Sequence, residues 1–139
     1  MWEKINKQSE ILFHNCLEKK LTVTTAESCT GGMIASSIVS ISGSSAIFKS
    51  SVVTYSNEMK SKILNIPLKS INENGAVSKV IAYTMAYNVL DLMNSDLSIA
   101  VTGIAGPSGG SKNKPVGLVY IGIGTKQNIV TKRYLFKGN

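Results

Sequence analysis

Between residues 2 and 19 the apolar side chains Trp2, Ile5, Leu12, Phe13, Cys16 and Leu17 recur at a spacing that gathers them on one helical face. This predicts an amphipathic opening helix, with His14 outside the apolar stripe and turned to water. The period then changes. Leu21 to Ala26 is a short β-type run, Thr30-Gly31-Gly32 breaks it, and Met33 to Val39 reads as helical, so a first strand turns sharply into a helix. Gly43-Ser44-Ser45 ends that helix, and Ile47 to Tyr55 has the β-branched and aromatic character of a second strand. Ser56 and Asn57 can cap a short helix that Pro67 stops, Ser78 can cap a longer one over about 79 to 94, and Leu97 to Thr102 returns to strand.

Residues 103 to 115 form a long glycine-rich loop, and the apolar runs Val116 to Gly124 and Asn128 to Phe136 predict a closing hairpin. Alternating strands and helices followed by a hairpin predict an α/β fold. The expected form is a three-layer α/β/α sandwich with a mostly parallel mixed sheet. With 139 residues, 43% of them hydrophobic, a single domain over residues 1–139 can bury its own core.

Composition changes the picture mainly by exclusion. Cys16 and Cys29 have no CxxC spacing and His14 is the single histidine, so no zinc-ligand set can be assembled and no metal site is expected. No apolar run reaches the roughly 18 residues of a membrane span, and the first residues lack a signal core. The expectation is a soluble, cytoplasmic chain with reduced thiols. The net charge of +7 comes from 14 lysines and one arginine, Arg133, spread along the chain. Nucleic-acid readers favour arginine forks and interleaved aromatics, so the charge reads as a solvated basic surface that attracts small anionic substrates.

Six of the twelve glycines fall in two clusters, Gly31-Gly32 and Gly103 to Gly110, each directly after a predicted strand, which is the ligand edge of an open α/β sheet. Neither cluster fits GxxxxGK[ST] or GxGxxG. Glycine N–H groups can hold an anion such as a phosphate, although the second cluster viewed alone is equally a flexible surface turn. Ser28 lies at the first strand-to-helix turn, where N–H groups from Cys29 to Gly32 can face an oxyanion; it is a nucleophile or an ordinary helix cap. Cys29 is the rival nucleophile, but no histidine is placed to activate it, and it reads as a small packed residue. A serine without histidine needs another base. On the helix after Asn57, Met59, Ile63, Leu64 and Ile66 define a buried sector that includes Lys60 and leaves Lys62 just outside, so Lys60 either points inward or snorkels at the rim.

Four motifs, taken together, resemble one family. Ala26-Glu27-Ser28-Cys29-Thr30-Gly31-Gly32, Val53-Thr54-Tyr55-Ser56-Asn57 with Lys60, Gly75-Ala76-Val77-Ser78, and Val101 to Pro107 with Gly109-Gly110 and Lys114-Pro115-Val116-Gly117 look like the CinA C-terminal domain family, in family order from about Leu21 to Phe136. The resemblance implies a nicotinamide-nucleotide amidohydrolase that converts nicotinamide mononucleotide and water to nicotinic acid mononucleotide and ammonia, without metal or cofactor. It implies Ser28 as nucleophile and Lys60 as base, with Tyr55 and Thr102 associated with the site, in a protein that commonly forms homodimers. Under that reading Thr30, Gly31 and Gly32 surround the oxyanion, Gly103 and Gly106 belong to a loop for the nucleotide phosphate, and Tyr55 orients Lys60 or relays a proton. The family pattern continues past the last strand with a site-associated arginine and a closing helix, whereas this sequence stops at Phe136-Lys137-Gly138-Asn139. The expectation is the stand-alone form of the domain, with truncation of the sequence as the simpler explanation for the missing segment; were Asn139 the true end, one sheet face would lack its cover unless a partner subunit filled it. Two other classes remain open: a non-catalytic nucleotide-binding or regulatory module, and, from net charge and the family's link to competence, a DNA-associated protein.

Overall fold

The computed structural model describes residues 1–138; Asn139, where the expected domain ends, lies outside the described residues. Helix α1 spans Trp2–Lys19, strand β1 Val23–Glu27, α2 Met33–Val39, β2 Phe48–Val53, α3 Asn57–Leu64, α4 Leu68–Asn74, α5 Lys79–Met93, β3 Leu97–Gly103, β4 Leu118–Gly124 and β5 Ile129–Leu135, with a single 3₁₀ turn at Ser44–Ala46. The strands form one sheet in the order β2-β1-β3-β4-β5. β1 pairs in parallel with β2 and β3, and β4 runs antiparallel to both β3 and β5, so four of the five strands share a direction. This is the predicted α/β fold with a mixed sheet.

Two apolar cores lie on opposite faces of the sheet. On one, Leu64 of α3, Ile71 of α4 and Ile81, Met85, Ala86 and Val89 of α5 pack on Ala26 and Ala100. On the other, Cys16 of α1 and Ile38 of α2 pack on Val23 and Ile47, with Leu12, Phe13, Ile34, Leu97 and Ile99 around them. The helix after β1 therefore lies on one face and the helices after β2 on the other. Consecutive strand residues alternate between these faces, which sends neighbouring side chains at a strand end into different environments. Among the described residues the second face is covered over β1 to β3; Ile123 and Val130, on the same face of β4 and β5, are 48% and 49% exposed.

The structure corrects several boundaries. Tyr55 and Ile47 fall outside β2, and the first strand starts two residues later than its apolar run. Pro67 does not stop α3, which ends at Leu64 with Asn65 in the left-handed conformation; it opens α4, a helix the sequence pattern did not reveal. Its seven residues carry too few apolar positions to show a period. The α1 stripe is also narrower than predicted, because Trp2 and Leu17 are 54% and 46% exposed and Ser9 and Cys16 are the buried positions. His14 is exposed, as its place on the helical wheel required. No helix among the described residues is long and apolar enough to cross a membrane.

Met85→Ala, at a fully buried α5 position, is expected to lower unfolding stability by about 2–5 kcal/mol. Leu17→Ala, on the half-open stripe of α1, should cost less than about 1 kcal/mol. Urea unfolding of both variants checks the contrast.

Candidate active site

β1, β2 and β3 end side by side, and the backbone ties their C-terminal ends together. The Ser28 N–H donates to the Val101 carbonyl at 3.0 Å, and the Thr54 N–H donates to the Glu27 carbonyl at 2.8 Å. Ser28, Thr54 and Thr102 are all buried at this edge. α3 then begins almost at once. Ser56 caps it, its Oγ accepting the Met59 N–H at 3.1 Å, and Lys60 sits in its first turn. Side chains on a helix lean toward its N-terminus, so Lys60 reaches back over the segment that led into its own helix.

That geometry brings the two candidate catalytic residues together. Lys60 is 1% exposed and Ser28 is 6% exposed, and Lys60 Nζ lies 3.0 Å from Ser28 Oγ. The same Nζ donates to the Thr54 carbonyl at 2.8 Å and the Tyr55 carbonyl at 3.4 Å. A neutral amine has two N–H groups and one lone pair. With the two carbonyls taking the N–H groups, the lone pair is left to accept the Ser28 hydroxyl proton. No carboxylate forms an ion pair with Lys60 among the described residues. Burial, which penalises the ammonium, therefore pushes its pKa below the ordinary lysine value of 10.5. The positive end of the α3 dipole acts in the same direction.

The alternative use of Ser28 as the cap of α2 is not the one the structure adopts. Ser28 faces Lys60, and the first turn of α2 is held by Glu27, whose carboxylate accepts the N–H groups of Ile34 and Ala35, each at 2.9 Å, and the Thr30 hydroxyl at 2.7 Å. In the turn, the Gly31 N–H is bonded to the Ser28 carbonyl and the Met33 N–H to that of Thr30. The N–H groups of Cys29, Thr30 and Gly32 have no oxygen partner among the described residues, although those of Cys29 and Thr30 lie near the Cys29 sulfur. Gly31 and Gly32 adopt φ of 58° and 100°, the left-handed region in which glycine is unstrained, and they supply the reversal into α2.

The remaining predicted residues divide. Thr102 is at the site edge, its hydroxyl donating to the Ala76 carbonyl at 2.8 Å and tying the Gly75-to-Ser78 segment to β3. Tyr55 reaches Lys60 through its main-chain carbonyl, while its side chain is 72% exposed. Gly103 is small for a packing reason: a Cβ there would stand 2.8 Å from Val119 and 3.0 Å from the Cys29 sulfur. Gly106 lies against Val116 in the long loop, which Lys114 anchors by donating to the Asn74 carbonyl at 2.8 Å. Cys29 is half-buried, and burial pushes its thiol up, away from the thiolate a nucleophile needs. It lines an apolar cavity of about 370 Å³ with Thr30, Met33, Val101, Ile104, Val116 and others. That cavity touches the turn but not the dyad.

Two residues stand in the sequence motifs without an assigned role. Glu27 is fully buried although a carboxylate, and its sequence signals are its place in the first motif and its position next to the turn. Thr54 is fully buried too, and its hydroxyl has no partner among the described residues; nothing in a β-branched run distinguishes it.

Comparison with known proteins agrees with the motifs. The family model for the CinA C-terminal domain matches residues 5–139. The chain belongs to that family. It is 52% identical over 123 residues to a CinA-like protein of Prochlorococcus marinus (strain MIT 9515), covering 88% of this chain and 28% of that protein. It is 47% identical over 130 residues to a putative competence-damage inducible protein of Caldicellulosiruptor bescii, covering 94% and 32%. The chain thus spans under a third of the length of these relatives. Among solved structures, the competence/damage inducible protein CihA from Agrobacterium tumefaciens superposes with a TM-score of 0.93 at 37% identity, over 96% of this chain and 81% of that one. A CinA superfamily protein from Escherichia coli superposes with a TM-score of 0.93 at 32% identity, over 97% and 78%.

Within this CinA domain the buried amine makes a thermodynamic prediction. Between the lowered folded-state pKa of Lys60 and 10.5, the unfolded chain holds a proton that the folded chain has lost, so stability rises with pH through that interval. Lys60→Met lacks this contribution. The stability of the parent relative to Lys60→Met should climb with pH, at a slope approaching about 1.4 kcal/mol per pH unit. Chemical unfolding of both proteins across the alkaline range measures it.

Proposed function

We propose that this domain hydrolyses the carboxamide of nicotinamide mononucleotide to nicotinic acid mononucleotide and ammonia. The observation that carries the reading is the buried Ser28–Lys60 pair, with Nζ 3.0 Å from Oγ and two carbonyls directing the amine. A serine beside an amine whose pKa is lowered has the parts for acyl transfer. The substrate comes from the motif resemblance, and the basic surface favours an anionic nucleotide.

In this mechanism Lys60 Nζ takes the Ser28 proton as Oγ adds to the carboxamide carbon. The N–H groups of Cys29, Thr30 and Gly32 are the available donors for the oxyanion. The intermediate collapses as the Lys60 ammonium returns its proton to the leaving nitrogen, giving ammonia and an acyl-Ser28 ester. Water then attacks the ester with Lys60 again as base, releasing the acid and restoring Ser28. Tyr55 orients Lys60 through its carbonyl, and the glycine-rich loop with Gly103 and Gly106 is assigned to the nucleotide phosphate. A cytoplasmic location and a homodimer complete the proposal.

Ammonia release from nicotinamide mononucleotide tests it. Ser28→Ala and Lys60→Ala, confirmed as folded, should each lower kcat by at least about 10³-fold. In the parent, the rate should rise with pH with a midpoint below 10.5, as Lys60 loses its proton. Turnover that survives Ser28→Ala overturns the covalent mechanism. Nucleotide binding without ammonia release selects the non-catalytic module instead.

A further inference from the structure

The geometry points to Glu27 as the positioning residue of the Ser28 turn, an inference that rests on the amidohydrolase reading. Glu27 and Ser28 are adjacent in sequence but lie on opposite faces of the sheet, so Glu27 does not face the dyad. Its carboxylate is fully buried and surrounded by donors. Oε1 accepts the Thr30 hydroxyl at 2.7 Å and the Ile34 N–H at 2.9 Å, while Oε2 accepts the Ala35 N–H at 2.9 Å and the Thr25 hydroxyl at 3.3 Å. The Thr25 hydroxyl also lies 2.5 Å from Ser51 Oγ, which carries the network to β2.

Two consequences follow from these contacts. The bond from Thr30 to Glu27 closes a ring around Ser28 and Cys29, so the peptide planes of the turn are held from the face opposite the reaction. Those planes carry the N–H groups of Cys29 and Thr30, the donors assigned to the oxyanion. The bonds from Ile34 and Ala35 answer the orphan donors and the positive end of α2 with a carboxylate already in place. The oxyanion is therefore stabilised by individual turn N–H groups and not by the end of that helix. The Thr30 side chain becomes a strut between turn and carboxylate, distinct from a substrate contact. Such a device acts in the transition state, where a small misplacement of donors costs rate without weakening ground-state binding.

The test uses the full chain, with Glu27→Gln, Thr30→Val and the double variant beside the parent. A fluorophosphonate counts competent sites: Ser28 Oγ bonds to phosphorus, fluoride leaves, and the serine proton passes to Lys60. Ammonia release is then expressed per labelled site, with thermal unfolding recorded alongside. Each single variant should lose kcat by about 10²-fold, keep KM for nicotinamide mononucleotide within about twofold, and leave the pH midpoint of the rate unmoved. Because the Thr30 strut acts through its bond to Glu27, the double variant should be no slower than Glu27→Gln alone. A lowered unfolding midpoint with parental kcat per site would reduce Glu27 to a helix cap and overturn the proposal. So would a raised KM at constant kcat in Thr30→Val, or losses that simply add. If the parent labels at Ser28 yet releases no ammonia, the substrate reading fails by itself; the labelling rate then carries the test, and equal rates in parent and Glu27→Gln overturn the positioning role. A parent that neither labels nor turns over overturns both.

Discussion

The site depends on a parity constraint at the end of β1. Side chains alternate along a strand, and β1 is the strand paired in parallel on both edges, with helices packed on both of its faces. Its last residue, Glu27, faces the α2 layer, and Ser28, one step beyond, faces the α3 layer. A carboxylate and a hydroxyl that are neighbours in sequence thus enter separate environments. Glu27 meets N–H and O–H donors, and Ser28 meets an amine. A one-residue slip in the register of β1 would exchange the two, placing a carboxylate against Lys60 and leaving the α2 donors without their acceptor.

The chemistry of Lys60 follows from the same layering. α3 begins four residues after β2 ends, and the backward lean of helical side chains carries Nζ to the carbonyls of Thr54 and Tyr55. Burial without an ion-pair partner disfavours the ammonium, and the carbonyls fix where the remaining N–H groups point. Serine beside a charged lysine would be a poor nucleophile. Serine beside a neutral one has a base in hydrogen-bond reach.

Much of this was legible in the chain itself. Changes of hydrophobic period located α1, α2, α5 and every strand to within a few residues, and Ser56 and Ser78 marked helix starts that the structure confirms with side-chain caps. α4 is hidden in the sequence because seven residues after a proline look like a loop. The predicted strands overrun at Ile47, Tyr55 and Val116, since β-propensity continues past the last residue that pairs. By spacing Trp2 and Leu17 belong to the α1 stripe, but the layer beneath α1 leaves them half exposed.

By itself the sequence determined the local quantities: the periodicity that makes strands and helices, the capping residues, the glycines that allow the turn after Ser28, and the four motifs that mark the CinA family. It also narrowed the base to Lys60 without deciding whether that side chain points inward. The tertiary structure decided everything that depends on distance between remote residues. Ser28 and Lys60 are 32 positions apart; the motif resemblance pairs them as nucleophile and base, but no periodicity or capping signal along the chain brings their side chains within reach. The role of Glu27 was equally hidden, because a carboxylate before a turn looks solvated until the packing of α2 removes the water and supplies the donors. Local propensity is written residue by residue, whereas burial and contact are properties of the assembled sheet and its two helical layers.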